Sequence, residues 1–81
     1  MQVRTLLFAQ LREASGHASV EVELAEGSTV EDLLASLESV IPSLAVVGPA
    51  TAVAVNQAYA DRSSPLADGD EVALIPPVAG G

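Results

Sequence analysis

The chain has 81 residues, 49% of them hydrophobic, with eleven acidic residues against three arginines and a formal net charge of −8. A chain of this length forms one small domain, which buries roughly 60% of the surface that its unfolded form exposes. So negative a protein is a poor partner for nucleic acid or an anionic membrane. The charge fits a basic protein partner, and it equally fits a small protein kept soluble by its own charge.

The absence of cysteine excludes further classes of function. Disulfides, thiolate metal sites, iron–sulfur clusters and a cysteine nucleophile or persulfide carrier all require a residue that this chain lacks. No apolar run approaches the roughly 20 residues of a membrane span. Residues 1–5 lack the basic flank and apolar region of a signal peptide, so a cytoplasmic protein is expected.

The first third of the sequence predicts a β-hairpin that contains a short helical turn. Residues 2–9 are typical of a central strand, because they become apolar on both faces toward their end. Residues 10–15 can form a helical turn, which Gly16 ends. Residues 18–24 alternate apolar and polar side chains, as a half-buried strand does, and a turn at 25–27 follows.

A helix is predicted for residues 29–41. Ser28 is a suitable N-cap, and Glu31 three residues later completes a capping-box pattern. Pro42 ends the helix, since the residue before a proline disfavours helical geometry. The predicted apolar stripe consists of Val30, Leu33, Leu34, Leu37 and Ile41.

The second half of the chain predicts strands and turns. In chain order these are a loop through Gly48-Pro49, a strand at 51–56, a short strand at 57–60, turns at 63–65 and 66–70, and a last strand at 71–75. The whole order is that of the β-grasp, or ubiquitin-like, fold: an α+β domain with a mixed sheet of four to five strands and one main helix packed on one face. We expect an antiparallel first hairpin, central first and last strands, a domain over 1–75 and an extended tail over 76–81.

Strand parity separates the two faces of this sheet. On the last strand Val72 and Leu74 point to the helix-covered face, and Ile75 points away from it. Phe8 is expected on the same open face as Ile75, with Leu6 nearby, although periodicity alone also allows Phe8 in the core. Exposed large apolar side chains that are grouped together mark a binding surface. With Tyr59, on a short edge strand, Phe8 and Ile75 form the predicted partner patch.

The chain stops at Pro76-Pro77-Val78-Ala79-Gly80-Gly81. Glycine has no Cβ, so such an end can enter a narrow channel and present its own carboxylate as the reacting group. The prolines hold the preceding residues near polyproline geometry, and six residues reach roughly 20 Å. A frayed terminus of small residues is the alternative interpretation.

No catalytic or metal-binding constellation is apparent. His17 is the sole histidine and is expected in a solvated turn. Asp68 and Asp70 flank Gly69, an arrangement more typical of a turn than of a metal site, so we expect no bound metal.

Three segments carry a resemblance to a known family. They are Phe8-Ala9-Gln10-Leu11-Arg12-Glu13, Val55-Asn56-Gln57, and the run from Leu66-Ala67-Asp68-Gly69-Asp70-Glu71-Val72 into the Pro-Pro and Gly-Gly tail. Together they resemble the small subunit of molybdopterin synthase, a ubiquitin-like sulfur carrier of β-grasp fold. One departure is Ala79, where the family often has a small hydroxylated residue.

The resemblance implies a route for sulfur. Gly81 would be adenylated by an ATP-using enzyme similar to ubiquitin activators and then converted to a thiocarboxylate. The large synthase subunit, expected in a heterotetramer with this one, would take up the tail, and sulfur would pass to a cyclic pterin precursor to build the dithiolene of molybdopterin. The chain would then be a co-substrate, with catalytic residues in the large subunit and no permanently bound cofactor. Arg12 would contact a partner as a further residue of the predicted partner patch, unless it serves only solubility.

Two alternatives share the fold. A thiamine-pathway sulfur carrier also ends in diglycine, but such carriers are typically shorter and lack the segment at 8–13 and the Pro-Pro. A β-grasp modifier or interaction module would have its end conjugated or unused. Because the chain has no lysine, it could not build polymers of itself through lysine side chains.

Overall fold

Five strands form one mixed sheet in the computed structural model, which describes residues 1–42 and 51–77. The elements are β1 (Gln2–Leu7), α1 (Ala9–Ser15), β2 (Ser19–Glu23), α2 (Val30–Val40), β3 (Ala52–Val55), β4 (Ala58–Ala60) and β5 (Glu71–Ile75). The strand order is β2-β1-β5-β3-β4, with β1 parallel to β5 and every other neighbouring pair antiparallel. The predicted β-grasp order, the antiparallel first hairpin and the central pairing of the first and last strands are confirmed. The loop predicted through Gly48-Pro49 lies outside the described residues.

The core lies on the face of the sheet that α2 covers. Val72 and Leu74 are fully buried, as strand parity predicts. Of the predicted helix stripe, three side chains are buried, whereas Leu34 and Ile41 are half-buried against the core. The buried members of the cluster are Val3, Leu7, Leu11, Val22, Leu24, Val30, Leu33, Leu37, Val53, Leu66, Val72 and Leu74.

The predicted start of α2 is wrong by one residue. Thr29, not Ser28, is the N-cap: its side chain accepts from the backbone N–H of Asp32, and the Asp32 carboxylate accepts from the backbone N–H of Thr29. Ser28 is held instead through its backbone, which donates to Ala25 and accepts from Leu66. Both registers offer a hydroxyl followed three residues later by an acid, so the sequence pattern alone does not separate them.

The first strand is shorter than predicted, because the chain turns at Ala9. Strand β1 ends at Leu7, Phe8 keeps extended geometry, and Ala9 takes a left-handed φ of 49° as α1 begins. The helical segment therefore starts one residue before the predicted range of 10–15. Gly16 ends it as predicted, with φ 77° and its N–H bonded to the carbonyl of Arg12.

The last loops are also tighter than their sequence suggests. Asn56 and Gln57, predicted as strand residues, both take positive φ and form the two-residue turn between β3 and β4. Leu66, predicted within a polar turn, is buried in the core. The buried Leu66 side chain thus anchors the otherwise polar loop before β5 to the core.

Neither described helix has the length and apolar character needed to cross a membrane.

Candidate functional site

The face of the sheet opposite α2 carries large apolar side chains in contact with solvent. Phe8, Tyr59 and Ile75 are exposed by 45%, 81% and 37% of their surface, respectively. Phe8 thus lies on the open face, as parity predicts, and not in the core. These three side chains share this face with Leu6, which is half-buried on β1.

The three residues border one groove of about 390 Å³. We call it the open-face groove; its lining residues are Leu6, Phe8, Ala54, Gln57, Tyr59, Glu71, Ala73 and Ile75. Its lining has an apolar majority and one ionisable carboxylate, which is the composition of a protein-binding surface.

Strand register explains why the groove exists. Ala73 on β5 lies opposite Leu6 on β1 and Ala54 on β3, and Ala54 lies opposite Tyr59 on β4. Residues directly opposite on neighbouring strands share a face, so the two alanines form a low floor between taller side chains. A row of small residues between large ones makes a depression rather than a flat surface.

Two local backbone features place the aromatic side chains at its border. The left-handed Ala9 turns the chain from β1 into α1 and leaves Phe8 outside the helix. The positive φ of Asn56 and Gln57 closes a tight hairpin, which returns Tyr59 beside β3. The Asn56 side chain holds this hairpin to β5, because its Nδ2 donates to Asp70 and its Oδ1 accepts from the Glu71 N–H, both at 3.0 Å.

Arg12 does not line the open-face groove. It lies on the exposed side of α1 and borders a separate shallow depression with Ala9, Glu13 and Gly16. Of the predicted patch, Phe8, Tyr59 and Ile75 therefore form one surface, and Arg12 lies on an adjoining one. The use of either by a partner stays a prediction.

The predicted tail leaves the sheet at the end of β5 that carries Ile75. Pro76 is half-buried and Pro77 is exposed, so the chain moves out of the domain as β5 ends. Val78, Ala79, Gly80 and Gly81 lie outside the described residues. Their predicted roles in a tail channel, and that of Gly81 as the reacting residue, rest on the sequence.

The other candidate polar residues have structural partners. His17 is exposed, and its backbone N–H donates to Ser15 Oγ. Asp68 Oδ1 accepts from the Gln2 N–H at 2.7 Å, and Asp70 Oδ2 accepts from the Ala67 N–H at 2.8 Å. Asp70 thus closes the local turn that the sequence predicts, whereas Asp68 ties this loop to the start of β1.

One further carboxylate is electrostatically distinctive. The Asp61 carboxylate accepts hydrogen bonds from the side chain and backbone of Ser63, which lower its pKa from the ordinary value of 3.8. Asp61 is fully exposed and follows β4 in a local turn, so this shift reflects turn formation and not a reactive site.

Five lining residues of the groove are absent from the predicted patch, and one of them, Leu6, was expected nearby. Parity places Glu71 and Ala73 on the face of Ile75, which was available from the sequence. Ala54 requires the register of β3 against β5, and Gln57 requires the position of the hairpin turn. Sequence parity finds faces, whereas the neighbours on a face depend on strand order.

Known proteins resemble this chain both in sequence and in fold. A molybdopterin synthase sulfur carrier subunit from Chlamydomonas reinhardtii is 43% identical over 84 residues, an alignment that covers 100% of both chains. SAMP1 from Haloferax volcanii has a similar structure, with a TM-score of 0.93, 32% identity and 100% coverage of both chains. A chain in the complex of subunits 1 and 2 of the molybdopterin-converting factor from Helicobacter pylori gives a TM-score of 0.72 at 27% identity, again over 100% of both chains.

These findings confirm the family resemblance that the segments at 8–13, 55–57 and 66–81 indicate. The pattern of the ThiS family matches residues 5–81, nearly the whole sequence. The chain therefore belongs to the ThiS family and has the ubiquitin-like β-grasp fold of its structural neighbours.

Proposed function

We propose that the chain is the sulfur carrier subunit of a molybdopterin synthase. The observation that carries this proposal is full-length similarity, at 43% identity, to a sulfur carrier subunit of that synthase. The absence of cysteine fits the proposal, since a sulfur carrier without thiols needs another group to hold the sulfur, and a terminal carboxylate can do so.

The proposed chemistry takes place at the carboxylate of Gly81. A carboxylate is a poor acyl donor, so one of its oxygens first attacks the α-phosphorus of ATP in the activating enzyme, which forms an acyl adenylate and releases pyrophosphate. A sulfur donor at the oxidation level of sulfide then displaces AMP and leaves a thiocarboxylate, which is a soft nucleophile. Its sulfur attacks a carbon of the pterin precursor, and water then cleaves the bond between that sulfur and the acyl carbon of Gly81, which restores the carboxylate. Gly80 and Ala79 keep the tail narrow enough for a channel in each partner. Such a route uses ATP only during activation and is consistent with a cytoplasmic location.

The open-face groove supports a protein partner in this function. In the Helicobacter pylori neighbour, subunit 1 of the molybdopterin-converting factor is in complex with subunit 2. We propose that the corresponding large subunit covers the groove of this chain and receives the tail that leaves beside Ile75. The activating enzyme would use the same face in turn, and the assembled synthase would be a heterotetramer.

The test is intact-mass spectrometry after incubation with the activating enzyme, ATP and a sulfur donor. The expected product is the mass change of one oxygen replaced by sulfur, localised to the C-terminal peptide. Deletion of Gly81, or addition of one residue after it, should abolish both the product and dithiolene formation, with the fold unchanged. Gly80→Ala should also reduce sulfur transfer, because a methyl group obstructs a channel shaped for bare backbone.

Ala79→Gly is the matched control for the tail, since it removes a methyl group and keeps the chain length. It should retain sulfur transfer. Dithiolene formation by the Gly81 deletion, or failure of the unaltered chain to gain sulfur, would contradict the proposal.

A second candidate function is protein modification, which is favoured by the similarity to SAMP1, a small archaeal modifier protein. The same activated carboxylate would then form an amide with an amine of a target protein. The mass experiment separates the two functions when target proteins are included. A thiocarboxylate on the free chain supports sulfur transfer, and covalent adducts of the chain with other proteins support modification.

A further inference from the structure

The open face has a second end, which is charged. Arg4 on β1 lies directly opposite Glu21 on β2 and Glu71 on β5, so one arginine is flanked by two glutamates in adjacent strands. Two pairs further along, on the same face, Gln2 Nε2 donates to the Glu23 carboxylate at 2.9 Å. This end of the sheet is polar where the groove end is apolar.

The loop before β5 adds two carboxylates at the same end. The Gln2 N–H donates to Asp68 Oδ1 at 2.7 Å, and the Arg4 N–H donates to the Asp70 carbonyl at 3.0 Å, so this loop is tied to the start of β1. We call Glu21, Glu23, Asp68, Asp70 and Glu71 the acidic end. Arg4 lies between two of these five carboxylates, and the Met1 ammonium donates to the Leu24 carbonyl at 2.7 Å.

The acidic end and the groove are continuous. Glu71 belongs to both, because it lines the groove and lies opposite Arg4. Glu71 and Ile75 are the first and last residues of β5, which places them about 13 Å apart at the rise of an extended strand. A protein that covers the groove with an interface of ordinary size therefore also reaches the acidic end.

We propose that the partner seated on the open-face groove meets the acidic end with a basic surface, and that this charge pairing orients the chain during association. The proposal rests on the proposed function. Complementary charges accelerate the encounter of two proteins and disfavour wrong orientations. The acidic end and the tail lie at opposite ends of β5. Contact between the acidic end and a basic surface beside the partner's pocket would therefore point the apolar, tail-bearing end at that pocket. A second copy of this chain does not fit as the occupant, because two molecules of charge −8 repel each other.

The test measures association rates with the large subunit of the molybdopterin synthase from the same genome. The double variant Glu21→Gln/Glu71→Gln removes two charges from the acidic end. The matched control, Glu31→Gln/Glu38→Gln, removes two charges from α2, which covers the opposite face of the sheet. Both variants change the net charge equally, so a difference between their rates reports where on the chain the removed charges lie. Rates are compared at ionic strengths of about 0.01 M and 1 M, where charges are screened over about 30 Å and 3 Å respectively.

We expect the acidic-end variant to associate several-fold more slowly at low salt and at the unaltered rate at high salt. The control should change by no more than about twofold at either salt concentration. Equal slowing of both variants would mean that only net charge matters, and an unchanged rate for the acidic-end variant would mean that the partner does not contact this end; either result overturns the inference and leaves the proposed function intact. Failure of the unaltered chain to bind the large subunit at all would overturn the proposed function together with this inference.

Discussion

At the residue scale, Thr5 is a polar side chain within an apolar core. It is fully buried on β1, between Val3 and Leu7, and its Oγ1 has no hydrogen-bond partner in the part of the chain that the structure describes. An unpartnered buried hydroxyl costs about 1–3 kcal/mol. Thr5→Val replaces that hydroxyl by a methyl group of similar size, so we expect the free energy of unfolding to rise by about 1 kcal/mol in chemical denaturation.

Val3→Thr provides the reverse substitution at a matched position. Val3 is equally buried on the same strand and the same face, so the new hydroxyl should lower the free energy of unfolding by about 1 kcal/mol or more. A loss of stability in Thr5→Val would show that the native hydroxyl has a favourable partner.

Single residues also show how far sequence reasoning reaches. The parity of residues 71–75 correctly places Val72 and Leu74 in the core and Ile75 outside, because alternation along a strand is a local property. The conformation of Ala9 was not predictable, since a left-handed φ of 49° is unfavourable for alanine and is imposed by the surrounding fold. Local patterns therefore predict faces, and tertiary structure decides exceptional backbone conformations.

At the scale of elements, the N-terminus of α2 depends on the choice between two adjacent hydroxyls. Thr29 and Asp32 make reciprocal hydrogen bonds: the Thr29 N–H donates to the Asp32 carboxylate at 2.9 Å, and the Asp32 N–H donates to Thr29 Oγ1 at 3.4 Å. Removal of a capping side chain costs about 1 kcal/mol. Thr29→Ala should therefore lower the free energy of unfolding by about that amount, measured by thermal or denaturant unfolding.

Ser28→Ala is the control for this cap. Ser28 contributes through its backbone, which alanine keeps, so its replacement should change stability by only a few tenths of a kcal/mol. The opposite ranking of the two variants would restore Ser28 as the cap, as predicted for it from the sequence.

At the scale of the whole molecule, the candidate site arises from strand order. Tyr59 and Phe8 are far apart in sequence, yet they border one groove. The strand order places β5 and β3 between β1 and β4, so these two strands form the floor of the groove and the two aromatic residues stand on either side of it. The element order predicts the fold, since short connections leave few arrangements for it. It does not predict that Ala54 and Ala73 meet to form the floor, because that contact depends on the register of β3 against β5.

The last prediction concerns Phe8 as the anchor of the proposed interface. Phe8 is 45% exposed at the border of the groove, so its removal costs the free chain little packing. An aromatic side chain that becomes buried at the centre of an interface contributes about 2 kcal/mol or more to binding. Phe8→Ala should therefore weaken the affinity for the large subunit by about 30-fold or more, measured by titration calorimetry, with a small change in thermal stability. Val40→Ala is the control, because Val40 is an apolar residue exposed by 68% on α2, away from the open face, and its replacement should leave the affinity unchanged. A Phe8→Ala chain that is strongly destabilised yet binds normally when folded would assign Phe8 to the stability of the domain and remove it from the interface.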